Sequence, residues 1–219
     1  MEALSSWFTY VHRHISEIIT ATGEHARITL VVIVLATAFS VALGILVQRH
    51  PTLRAVALAV TGIFLTIPSL ALFAIFIPVV GIGNTPAMMA LFLYAILPIL
   101  RNTVTGLDEV PASVIESARG MGLSGPQRLI KVRLPLAWPV IMAGVRVSSL
   151  MTVGIAAIAV LVGGDGLGSF IQSGLTRLGL PNALNSVFVG VVFTVVLGLV
   201  LDMVFAAIQR LVTPAGIRA

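Results

Sequence analysis

Residues 55–100 contain no aspartate, glutamate, lysine or arginine, and 28–48, 147–164 and 178–201 repeat that pattern. A water-soluble domain cannot bury so much apolar chain, but a bilayer solvates it. A helix crossing the hydrocarbon layer needs about 20 apolar residues, with every backbone group satisfied inside the segment. The run 55–100 has room for two such spans and each of the others for one. The 219 residues are 58% hydrophobic and 10% charged. The reading is an all-α polytopic membrane protein of about five transmembrane helices, too short for an additional soluble domain of ordinary size.

Breakers and charges divide the runs. Span one covers 28–48 and ends before Arg49, His50 and Pro51. Span two, 54–80, contains "TIPSL", where Pro68 lacks a backbone donor and is expected to kink or break the helix. "GIGNTP" (81–86) has the chemistry of a short loop. Span three, 86–107, is interrupted by Pro98. Span four covers 136–162, "GGDGLGSFIQSGLTRLGLPN" follows, and span five covers 183–209.

Five spans put the termini on opposite sides, and positive charge marks the cytoplasmic one. Nine cations (Arg49, Arg54, Arg101, Arg119, Arg128, Lys131, Arg133, Arg210, Arg218) share one side; three (Arg13, Arg27, Arg177) share the other, and Arg146 falls within span four. The expectation is a multi-pass membrane protein with its N-terminus outside and its C-terminus in the cytoplasm. Its extracytoplasmic N-terminal segment is 1–26, its transmembrane domain 27–209 with a cytoplasmic loop at 108–135, and its cytoplasmic tail 210–219. "MEALSSWFTYVHRHISEIIT" has an acid at position 2 and charges or histidines within any would-be apolar core, unlike a cleavable signal peptide. Residues 5–20 fit a helix lying on the outer surface or a short unordered tail.

Several chemistries are excluded. There is no cysteine, hence no disulfide framework, thiolate metal site or cysteine nucleophile. The single lysine, Lys131, follows Ile130, so no P-loop is present. His12, His14, His25 and His50 form no H-E-x-x-H; His12 and His14 read as interface residues rather than metal ligands, and no metal site is expected. Ser148 and Ser149 lie near Arg146, but the spans hold no histidine or lysine to activate them. The net charge of +5 reflects orientation rather than nucleic-acid binding. No catalysis and no cofactor are expected in this chain.

One polar island interrupts the apolar sequence, "IESARGMGLSGPQRLIKVRLP" at 115–135. Within it Glu116-Ser117-Ala118, three residues, Gly122, nine residues, Val132, one residue and Leu134-Pro135 resemble the E-A-A-x3-G-x9-I-x-L-P loop of ABC importer permeases. Ser117 and Val132 are the two departures, both conservative. The segments "TGEH" (22–25), "IPSLALFAIFIPVVGIGNTPA" (67–87), "LPILRNTVTGLDEVPASVIESARGMG" (97–122), "LPLAWPVIMAGVR" (134–146) and "GDGLGSFIQSGL" (164–175) extend the likeness to nearly the whole chain. Together they resemble the permeases of osmoprotectant importers, the OpuC-type and OpuB-type systems for glycine betaine, carnitine and choline.

The resemblance implies a MetI-like fold in the bacterial plasma (inner) membrane and a cytoplasmic coupling helix seated in a groove of an ATPase. It also implies two cytoplasmic ATPases carrying ATP and Mg, a second permease subunit (a homodimer or a paralogue) and an extracytoplasmic substrate-binding protein, expected to be separate. The coupling residues carried over are Glu116, Ser117, Ala118, Arg119, Gly120, Met121, Gly122, Leu134 and Pro135. Ala118 and Gly120 are small enough for close approach, and Gly122 suits a positive φ at a helix end. Glu116 and Arg119 share a helical face and can pair with each other or with the ATPase.

Three further features stand out. Arg146 and Asp202 lie within spans at depths that differ by only about 6 Å, which suits an interhelical ion pair; snorkelling of Arg146 is the alternative. The break at Pro68-Ser69 is a candidate translocation path or gate, because unwound backbone survives at membrane depth only where protein or water satisfies it. Phe64, Phe73 and Tyr94 either line that path or pack in the core. "GGDGLG" either re-enters to cap the pore or forms a flexible loop. A permease for another solute, such as methionine or a sulfonate, would share the fold and coupling loop. An ion-gradient carrier would show no ATPase partner and usually an inverted repeat, which is not visible here.

Overall fold

A computed structural model describes residues 2–213, with side-chain surroundings from Ser5 onward. Arg218 and most of the tail assigned to 210–219 lie outside the described residues. The elements are α1 (Glu2–Arg13), α2 (Ile15–Val47), α3 (Pro51–Thr66), α4 (Ser69–Val80), α5 (Asn84–Asp108) and α6 (Ala112–Gly120). Then come α7 (Gly125–Arg128), a π turn (Leu129–Arg133), α8 (Leu134–Ala156), a 3-10 turn (Ala159–Val162), α9 (Gly168–Thr176) and α10 (Ala183–Val212). The described residues contain no strand.

Among the described residues, four helices are long and apolar enough to cross a membrane: α2, α5, the continuous α7–α8, and α10. The fifth expected span is a bent pair, α3 and α4, meeting at 98°. Pro68 explains the break. Ile67 is extended (φ −78°, ψ 131°), as a residue before proline prefers, and Pro68 itself (φ −58°, ψ 136°) caps α4. The pair nonetheless travels the length of the bundle. It begins beside the Asp108 end of α5, where Arg54 pairs with Asp108. It finishes beside the Asn84 end, where Gly83 N–H donates to the Val162 carbonyl at 2.9 Å.

Two boundaries differ from expectation. The first long helix starts at Ile15 rather than 28. Glu17, Glu24 and Arg27 mark where apolar character begins, but they are good helix formers and do not end the helix. At 1.5 Å per residue α2 is about 50 Å long, well beyond the ~30 Å hydrocarbon layer. Residues 15–20 therefore belong to α2, and only α1 forms a separate N-terminal helix, packing Trp7, Tyr10 and Val11 against the core. The second difference lies in the island. The fourth long helix begins at Gly125 rather than 136, because Ser124 and Gln127 form a capping box. The π turn accommodates Pro135, whose ring would otherwise meet the carbonyl of Lys131.

The centre of the bundle is α5. Fourteen of its 25 residues are buried, against nine of the 30 in α10. It packs mainly on α8 and α2. Glycine permits both crossings: a Cβ on Gly144 would stand 2.8 Å from the Pro98 carbonyl oxygen, and one on Gly44 would stand 2.6 Å from Thr103 Cγ2. Small residues drive such packing where lipid removes the hydrophobic incentive. Serine hydroxyls add tethers, Ser148 to the Ala95 carbonyl at 3.1 Å and Ser40 to that of Ile96 at 3.3 Å.

Candidate functional site

The island folds into a largely exposed hairpin of α6 and α7. Pro111 stands at the N-cap of α6 with extended backbone (φ −58°, ψ 134°). The helix ends in a Schellman motif: Leu123 N–H donates to the Ala118 carbonyl at 3.1 Å and Gly122 N–H to that of Arg119 at 2.9 Å. Gly122 has φ +83°, so glycine is what this turn requires. Ala118 is buried, while Glu116, Ser117, Arg119, Gly120, Met121 and Gly122 are exposed. Glu116 and Arg119 form no ion pair with each other, leaving both charges open to a partner. Met121, at the hairpin tip, is 72% exposed, and Ile130, in the π turn, 64%.

This hairpin is anchored to the bundle. Helix α6 packs on α7 and the π turn. Arg133 Nη2 donates to the Leu107 carbonyl at 3.0 Å, satisfying one of the last carbonyls of α5. Arg128 Nη1 donates to the Leu123 carbonyl at 3.1 Å, tying α7 back to the turn after α6. Leu134 and Pro135 are half-buried where the π turn becomes α8. The hairpin is thus tied to the last turn of α5 and continuous with α8.

Within the spans, Arg146 and Asp202 meet in a two-pronged ion pair, Nε to Oδ1 at 2.7 Å and Nη2 to Oδ2 at 2.8 Å. It joins α8 to α10, with the side chains 36% and 22% exposed. At the broken helix, Tyr94 Oη donates to the Ile67 carbonyl at 2.7 Å. The break and the tyrosine are thus parts of one contact, in which α5 satisfies backbone that the break sets free. Tyr94 and Phe73 are buried, Phe64 and Ser69 half-buried, and Pro68 exposed.

At the end of the bundle away from the hairpin, two glycine-bearing loops lock together. Asn84 Nδ2 donates to Asp165 Oδ2 at 2.6 Å, and Asp165 N–H donates to Asn84 Oδ1 at 2.8 Å. Gly166 (φ +117°) lies against the buried His25, whose Nε2–H donates to the Val153 carbonyl at 3.0 Å. "GGDGLG" is therefore a built joint linking α2, α5 and α8. Sequence reading missed this joint, the Arg133 anchor and the Arg54–Asp108 pair. The available signals were the histidine closing "TGEH", the lone Asp165 and the clustering of Arg133 with the charges of the polar island.

A family model described as the binding-protein-dependent transport system inner membrane component matches residues 28–214. The chain is 38% identical to the glycine betaine/carnitine/choline transport system permease protein OpuCB of Bacillus subtilis, over 98% of this chain and 97% of that protein. It is 40% identical to the choline transport system permease protein OpuBB of the same organism, over 92% and 91%. It is 38% identical to the osmoprotectant import permease protein OsmW of Salmonella typhimurium, over 90% and 92%. Among solved structures, inward-facing conformations of the MetNI methionine ABC transporter match at a TM-score of 0.77 and 26% identity, over 90% of this chain and 96% of that one.

Proposed function

From the premise that the chain belongs to the family of binding-protein-dependent transport system inner membrane components, with a MetI-like fold, we propose that it is the permease subunit of an ATP-driven importer of osmoprotectants. Its substrates would be small quaternary amines such as glycine betaine, carnitine and choline, the solutes in the names of its relatives. Those relatives are 38–40% identical, whereas the methionine system is 26% identical, which favours the osmoprotectant reading over methionine.

The observation that carries the reading is the exposed hairpin Ala112–Arg128, closed by a Schellman turn and anchored to α5 through Arg133. In the proposed cycle two cytoplasmic ATPases, which hold ATP and Mg, close on each other and move α6. The motion passes to α5 and α8, and two permease subunits turn from inward-open to outward-open. An external binding protein then releases substrate into the path between them. The hairpin end and the C-terminus lie in the cytoplasm, and α1 lies outside. This chain supplies the path and the lever, and no bond chemistry.

The test is a pull-down from solubilised membranes, comparing wild type with Gly122→Asp, followed by uptake in proteoliposomes. Aspartate at φ +83° strains the turn and places a charge at the tip of the lever. The expected result is an ATPase that copurifies with wild type and is lost or uncoupled in the variant, with uptake of glycine betaine but not methionine. Failure of any ATPase to copurify with wild type would overturn the reading.

A further inference from the structure

At the end of the bundle opposite the hairpin, α1, the first turns of α2, α9 and the start of α10 border an open cavity of about 660 Å³. That volume is in the range of small-molecule sites. Its α2 wall carries Glu17 and Glu24, seven residues apart and so on one face about 10 Å from each other. Neither carboxylate forms an ion pair among the described residues. Glu17 sits in the first turn of α2, where the helix dipole favours it. Glu24 has no such reason: it is half-buried, well inside the helix. Its side chain lines the cavity with no cationic partner among the described residues.

The other walls complete a pattern. The rings of Tyr10 and His14 stack at 4.1 Å with their planes 26° apart. His14 Nδ1 donates to the Tyr10 carbonyl at 2.9 Å, which holds the stack in place. Phe170 adds a further aromatic side chain. Arg177, just past the end of α9, also lines the cavity and forms no ion pair among the described residues. Two acids and the Tyr10–His14 pair on the α1 and α2 walls, and a guanidinium just past α9, suit a compact zwitterion. A quaternary ammonium has no N–H to donate, so it is held by charge and by ring faces; a carboxylate is held by arginine.

We propose that this cavity is a binding site for a zwitterionic quaternary-ammonium solute, its cationic head between Glu17, Glu24 and the Tyr10–His14 stack and its carboxylate toward Arg177. The inference rests on the proposed import of such solutes and adds a place where they touch this chain.

The test is calorimetric titration of the full chain in nanodiscs with three probes: glycine betaine, its uncharged-head isostere 3,3-dimethylbutanoate, and tetramethylammonium. Saturable binding of glycine betaine is expected, with no binding of the isostere. Glu17→Gln and Glu24→Gln should each weaken glycine betaine by about tenfold, the scale of one charge or cation–π contact. Arg177→Gln should weaken glycine betaine but not tetramethylammonium. Thr20→Lys, at an exposed position on the cavity wall, should abolish binding with the fold intact. The inference is overturned if wild type binds no glycine betaine, or if these four variants leave its binding unchanged. Uptake in proteoliposomes separates the two ideas: uptake without this site sinks only the site, and a working site without uptake sinks only the import reading.

Discussion

The ion pair between Arg146 and Asp202 makes a quantitative demand. Two unit charges about 4 Å apart attract by roughly 4 kcal/mol at an effective dielectric of about 20. Desolvating both groups offsets most of that, and the 36% exposure of Arg146 weakens it further. The intact pair should therefore add little net stability, while either partner alone should be costly. A lone charge in a span costs about 2.5–3.5 kcal/mol. Arg146→Met, which strands a short aspartate, should lose about 3 kcal/mol. Asp202→Asn should lose nearer 2 kcal/mol, because a freed arginine can snorkel. The double variant R146M/D202L should lie within about 1 kcal/mol of wild type, as apolar replacements of ion pairs commonly do. The swap R146D/D202R should recover part of either single loss. The assay is equilibrium unfolding of the purified chain in mixed micelles. A double variant whose loss equals the sum of the singles within about 0.5 kcal/mol would refute the coupling.

Other predictions follow from the same contacts. Tyr94→Phe removes the hydroxyl that satisfies Ile67 at the helix break and should cost about 1–3 kcal/mol in unfolding experiments; an unchanged midpoint would mean that another donor takes over. Gly144→Ala sets a methyl 2.7 Å from Asn102 Cβ and should cost about 3 kcal/mol. Gly154→Ala, with nothing within 4 Å, should be neutral or stabilising by about 0.5–1 kcal/mol, so equal effects at the two glycines would contradict the packing argument. Asn84→Ala breaks both contacts to Asp165 and should speed hydrogen exchange in the 163–167 loop while leaving α10 protected.

What was legible in the sequence follows from the range of each interaction. Missing charge reports the bilayer directly, so the long helices were visible, and Pro68 announced its break because the effect is local. The ends of α2 and α7 were not visible. Hydropathy marks where the membrane stops, and Glu17 or Gln127 extends a helix past that point. The short helix α6 and its turn were legible through motif spacing and through Gly122, whose backbone need is local. Arg146–Asp202 was foreseeable because charges in spans are rare and rise per residue fixes their depth. Asn84–Asp165, Arg54–Asp108 and Arg133–Leu107 were not, since contacts between distant segments leave no local period. Tyr94 and Pro68 were each singled out, but their meeting at Ile67 emerged only from the fold.

The central claim is that the hairpin Ala112–Arg128 is the surface that meets an ATPase. The natural chain has no cysteine, so single cysteines can be introduced without background. The most direct measurement is site-specific crosslinking in membranes from cells that express the whole transporter, with Met121→Cys at the hairpin tip and Thr20→Cys at the opposite end. Both positions are exposed. The account predicts a crosslink to the ATPase from position 121 and none from position 20. An ATPase adduct absent at 121, or equally strong at 20, would contradict it.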